Sequence, residues 1–132
     1  MNLEPTLLGA FKENPVFFAL AALIASVGFV LVLVALIALA KKPGVTAAVG
    51  FAAAAAGLLS IGAGAMGSFS ARKHTDGALS SPGLTVRDRE RIGAYGYAEA
   101  KMPLKFGLGL GMIPLLAGAA VGVAGLTRAR KK

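Results

Sequence analysis

Residues 16–40 read VFFALAALIASVGFVLVLVALIALA, 25 consecutive positions without a charge. A helix of that length is about 37 Å long at ~1.5 Å per residue, enough to cross the ~30 Å hydrocarbon layer of a bilayer with some tilt. The run exceeds the apolar core of a cleaved signal peptide, and Lys41 and Lys42 follow it directly, so it is expected to be retained as a span. Its second half, Phe29 to Leu39, is rich in Phe, Val, Leu and Ile that suit acyl chains, which predicts a peripheral helix.

Two more intervals pass the same length test. Pro43 to Ala71 is charge-free, with an apolar part at 45–67, and a third interval lies between Lys105 and Arg128, at 106–127. Lys41 to Gly44 leave only a few residues to reverse direction, so the first two spans should form a tight antiparallel hairpin. The expected fold is an all-α membrane protein, a single membrane domain over residues 1–132 with three transmembrane helices. Composition agrees: 56% of the 132 residues are hydrophobic and the mean hydropathy is +0.72, more apolar surface than so short a chain can bury within itself.

The net charge of +8 is confined almost entirely to the gaps and ends of these spans, where cations meet lipid headgroups, so no nucleic-acid partner is expected. Cysteine is absent, which removes disulfides, thiolate metal sites and cysteine nucleophiles together.

Residues 68–105 are the one extended polar stretch. Ser70 to Gly83, rich in Ser, Gly, Thr and Asp, reads as loop. Thr85 followed by Asp88 resembles a capping box, which predicts a helix from about Val86. Ile92, Tyr95, Ala98 and Met102 recur at helical spacing and suggest an amphipathic helix lying at the membrane interface, with Pro103 kinking or restarting it. Asn2 to Asn14, with Leu3, Leu7, Leu8 and Phe11 on one side, reads as a second interfacial helix. Three spans place the N-terminus and residues 68–105 on one side of the membrane. The other side holds six cations and no acid: Lys41, Lys42, Arg128, Arg130, Lys131 and Lys132. That set is expected in the cytoplasm, with the N-terminus outside.

Small residues mark the packing faces. Gly50, Ala53, Gly57, Ser60, Gly64 and Gly67 follow one another at steps of three and four on the second span. Gly107, Gly111, Pro114, Gly118, Gly122 and Gly125 do the same on the third. Lipid solvates large apolar groups as well as a neighbouring helix can, so helices associate where small residues let backbones approach. Two such faces can serve either a homo-oligomer or the inside of one three-helix monomer. Gly57, Ser60, Gly64, Gly67, Gly107, Gly111, Pro114 and Gly118 are the candidate pore or packing residues.

No catalytic, cofactor-binding or metal-binding residue stands out. His74, the lone histidine, sits in the expected loop beside Arg72 and Lys73, with no ligand cluster around it. None of the six acids (Glu4, Glu13, Asp76, Asp88, Glu90, Glu99) lies in a span, so there is no intramembrane carboxylate of the kind that carries protons. Ser26, Thr46, Ser60 and Ser68 can each satisfy a hydroxyl on their own helix. The chain is not expected to be an enzyme.

Two stretches resemble the MotA/TolQ/ExbB family of bacterial proton-channel and stator subunits. Gly57-Leu58-Leu59-Ser60-Ile61-Gly62-Ala63-Gly64-Ala65-Met66-Gly67-Ser68-Phe69 is similar to the family's GLLGTVxGxxxxF helix, and Gly96-Tyr97-Ala98-Glu99-Ala100 with Gly107-Leu108 and Ile113-Pro114 is similar to its GIxEAL…GLxxAIP pattern. The resemblance covers roughly residues 57–118. It implies a bacterial inner-membrane subunit, a homo-oligomer that surrounds a single-span ExbD/TolR-type partner whose own acid carries the ion. The chain departs from the family in two ways. A four-residue turn replaces the cytoplasmic domain between the first two helices, and the pore threonines fall on Ile61 and on Leu104 or Lys105. Two readings stay open, a stator-like or channel-like subunit and a small non-conducting structural subunit of a larger membrane complex.

Overall fold

The computed structural model describes residues 7–13 and 15–131. Five helices follow in order: α1 (Leu7–Glu13), α2 (Pro15–Ala38), α3 (Pro43–Leu79), α4 (Val86–Ala100) and α5 (Met102–Arg130). There is no strand among the described residues. α2, α3 and the apolar part of α5 are each long and apolar enough to cross a membrane.

α2 gives way to a tight turn in which the Lys42 amide donates to the Ala38 carbonyl at 2.8 Å. Pro43 then opens α3, where a missing N–H costs nothing because the first helical amides have no partner in the helix. At the same end of the bundle, the Arg128 guanidinium donates to the Leu39 carbonyl at 3.3 Å, tying the C-terminal ends of α5 and α2 together. A cation there also complements the partial negative charge of the α2 C-terminus.

The largest departure from the sequence reading is the length of α3. Its 37 residues span about 55 Å at ~1.5 Å per residue, so the helix outruns a ~30 Å hydrocarbon layer and absorbs 70–79, read above as loop. Ser, Thr and Asp weaken a helix only by tenths of a kcal/mol each, and Ala71, Thr75 and Leu79 keep a packing face in phase through this segment. The helix ends at Ser80, and the chain turns through Pro82 and Gly83, whose φ of 155° suits glycine.

α4 begins as read: the Thr85 hydroxyl accepts from the Asp88 amide at 3.1 Å. It does not lie across the bundle. Gly93 faces Leu79, Gly96 faces Thr75, and Tyr97 bonds Asp76, so α4 runs antiparallel along the last turns of α3. Its inward face is Gly93 and Ala100, with Gly96 beside them, rather than the Ile92 and Tyr95 face. Gly93 and Gly96 meet the side chains of Leu79 and Thr75 on α3. The chain breaks at Lys101 and restarts with Pro103 in the first turn of α5.

α1 covers part of the expected N-terminal helix; residues 1–6 and 14 lie outside the described residues. Ala10 is buried there, whereas Leu8 is largely exposed and Phe11 partly so. Phe11 meets Phe18 edge-on at 5.8 Å, and Phe18 meets Phe106 at 4.9 Å, which fastens α1, α2 and the start of α5 at one corner.

Candidate functional site: the glycine seam and the helical arm

All eight candidate residues lie in helix contacts. α3 and α5 run antiparallel and touch backbone to backbone. A methyl group placed on Gly50 would lie 2.6 Å from the Gly122 nitrogen; on Gly64, 2.5 Å from the Pro103 carbonyl oxygen and 3.0 Å from Gly107 Cα; on Gly118, 2.6 Å from the Gly50 carbonyl oxygen. Gly57 stands against the Gly111 carbonyl, and Gly125 against Ala47 and the Pro43 carbonyl. No side chain larger than hydrogen fits at these points, so the two glycine faces named in the sequence cover each other within one chain. On α4, Gly96 packs against a side chain instead: a methyl group placed there would lie 2.5 Å from Thr75 Oγ1, whereas Gly93 has ordinary van der Waals room beside Leu79.

α2 brings a third small face that the sequence reading did not single out. Phe18, Ala21, Ala25, Gly28, Val32 and Ala35 are buried at steps of three and four, while Val27, Val30, Leu33 and Ile37 point outward. Gly28 receives the ring of Pro114: a methyl on Gly28 would come within 2.8 Å of Pro114 Cβ. The proline inside α5 is fully buried and fills the hollow that Gly28 leaves.

The hydroxyls of Ser26, Thr46, Ser60 and Ser68 each make a hydrogen bond. Ser26 and Thr46 donate to Ala22 and Lys42 carbonyls of their own helices at 2.8 and 3.1 Å. Ser60 does not follow that expectation. Fully buried, it donates across the α2–α3 contact to the Ala21 carbonyl at 2.8 Å. Ser68 accepts from the Leu104 amide at 2.9 Å, satisfying one of the open donors at the start of α5. No buried side-chain nitrogen or oxygen among the described residues lacks a partner. The outer surfaces of α3 and α5 are apolar, with Phe51, Leu58, Leu59 and Met66 on one and Ile113, Leu116 and Val123 on the other. Gly62 and Gly109 stand on open faces with nothing near them.

Polar chemistry is concentrated on the arm formed by the last turns of α3 and by α4. The Tyr97 phenol donates to the Asp76 carboxylate. That carboxylate, together with partial burial, holds the phenol above its ordinary pKa, against a smaller opposing pull from Arg72. A cavity of about 530 Å³ opens between α1, α3 and α4; Lys12, His74, Tyr95 and Glu99 reach it. His74 therefore sits on an exposed helical face and not in a loop. Among the described residues no three His, Asp or Glu side chains converge in a way that could hold a metal ion.

Comparison with protein-family models, curated proteins and solved structures finds nothing that this chain matches.

Proposed function

We propose that the chain is a non-catalytic structural subunit of a membrane complex, a close-packed three-helix post that carries the α3–α4 arm beyond one face of the bilayer. The observation that supports this reading most is the mutual coverage of the two glycine faces. Residues that would otherwise argue for self-assembly around a pore are occupied by one another. Ser60, the polar group nearest to the resembled pore position, is buried on α2. A conducting path also needs titratable or hydrated groups at membrane depth, and none of the acids falls there. In this reading the six-cation end faces the cytoplasm and the arm faces outward.

The stator-like reading keeps one specific support. The order of a peripheral first helix followed by two long closely paired helices agrees with the resemblance, and the uncovered Gly62 and Gly109 leave room for close approach by another helix. In that case the ion-carrying acid belongs to a single-span partner.

Native mass measurement in mild detergent, paired with proton flux in reconstituted vesicles, separates the two. A monomer that leaves vesicles as tight as empty ones supports the structural subunit. A closed ring of copies, or proton flux once an acid-bearing single-span protein is added, would replace it with the stator-like reading.

A further inference from the structure

Where α3 leaves its apolar stretch, a groove of about 430 Å³ opens toward the surroundings, lined by Phe17, Ala65, Met66, Phe69, Ser70 and Lys73. Its walls are built in. Phe17 seats against Gly67, where a methyl group would come within 2.8 Å of Phe17 Cβ, so the absence of a side chain at 67 is what lets Phe17 pack this close to α3. Met66 and Phe69 are largely exposed and form the other wall.

A cation stands over the mouth of the groove. Lys73 Nζ lies 4.7 Å from the centre of the Phe69 ring, within cation–π range. A helical side chain leans toward the N-terminus of its helix and covers the turn before it. For Lys73 that direction is toward the apolar part of α3, so the ammonium hangs back over Phe69 and does not extend along the arm. Arg72 and Lys73 are the first charges after Pro43–Ala71, which sets this point at headgroup depth.

We infer that this groove is a binding site for an anionic phospholipid, with an acyl chain against Phe17, Met66 and Phe69 and the phosphate on Lys73. Charge complementarity selects the occupant. An aliphatic slot alone takes any lipid, and one ammonium fixed at its rim favours a net negative headgroup over a zwitterionic one, by about fivefold for a single lysine at the surface. Ser70 adds a hydroxyl at the same level. The inference rests on the three-span reading and is independent of whether the subunit conducts.

The test uses the full chain purified in mild detergent, incubated with equal amounts of phosphatidylglycerol and phosphatidylcholine, with bound lipid counted by native mass spectrometry. About fivefold enrichment of phosphatidylglycerol is expected. Lys73→Gln should abolish the preference, Ala65→Phe should fill the slot and lower total bound lipid, and Lys131→Gln, which removes the same charge at the opposite end, should change neither. Equal binding of both lipids, or an equal loss of preference in Lys73→Gln and Lys131→Gln, overturns the site. Full competition by glycerophosphoglycerol, which has no acyl chains, overturns the acyl-chain part and reduces it to a phosphate contact. Release of the chain from membranes by alkaline carbonate would instead overturn the spanning reading on which the inference stands.

Discussion

The Ser60 hydroxyl and the Ala21 carbonyl, 39 positions apart in the chain, meet at 2.8 Å in the contact between α2 and α3. This bond joins the first helix to the glycine-bearing pair at a point where both helices expose only small residues. Ser60→Ala should therefore weaken the bundle by about 0.6 kcal/mol, the usual worth of a side-chain hydrogen bond between membrane helices. Reversible unfolding in mixed micelles, followed by circular dichroism, measures the loss. Wild-type stability in that variant would show the bond to be idle.

The two classes of glycine should separate cleanly. Gly118→Ala drives a methyl group to 2.6 Å from both the Ala54 nitrogen and the Gly50 carbonyl oxygen, backbone atoms that cannot swing aside. A loss of about 1–3 kcal/mol is expected from overpacking. Gly62→Ala meets nothing within 4 Å and gains helix propensity, so its stability should be unchanged or up to about 1 kcal/mol higher. The same unfolding assay reads both, and equal effects would contradict the seam.

Thr85→Ala removes the acceptor for the Asp88 amide and should cost α4 about 1 kcal/mol at its start. Amide hydrogen exchange at Asp88 and Arg89 is expected to accelerate while exchange within α3 stays slow.

The Tyr97–Asp76 bond gives the arm a pH limit. A phenol whose pKa is raised in the folded state contributes its stabilisation fully below pH 10, the ordinary value, and loses it as pH climbs through the raised value. Alkaline titration by tyrosinate absorbance should place Tyr97 above 10, and Asp76→Asn should bring it down. An unchanged titration curve in that variant would show that the carboxylate is not the cause.

Because the chain has no cysteine, single introduced thiols report sidedness without background. Ser81→Cys, in the exposed turn beyond α3, should react with a membrane-impermeant maleimide in intact cells, and Lys131→Cys only after lysis. The opposite pattern would invert the orientation proposed above.

How much of this was legible in the sequence depended on how unambiguous each residue type is. Glycine in an apolar helix has few uses other than close contact, so the positions from Gly50 to Gly67 and from Gly107 to Gly125 could be aligned by spacing alone. Alanine suits lipid and helix contact equally, which hid Ala21, Ala25 and Ala35 inside a run that looked uniformly lipid-facing. Ser70 through Asp76 read as loop because their composition is that of loops, yet no proline interrupts the helix before Pro82 and Ala71 and Thr75 continue its packing face. Ser60 had two acceptors within reach in principle, its own helix and a neighbour. Only the position of α2 decides between them.

The short link at 80–85 joins α3, the longest helix of the chain, to α4 at their water-facing end, and Leu79 and Gly93 on either side of it already face each other. Pairing can thus begin near the link, where loop closure is cheapest, and advance rung by rung toward Gly50 and Gly122. Because α4 pairs back along α3 and the chain breaks only at Lys101, the point from which α5 starts along α3 is set by contacts outside the apolar stretch.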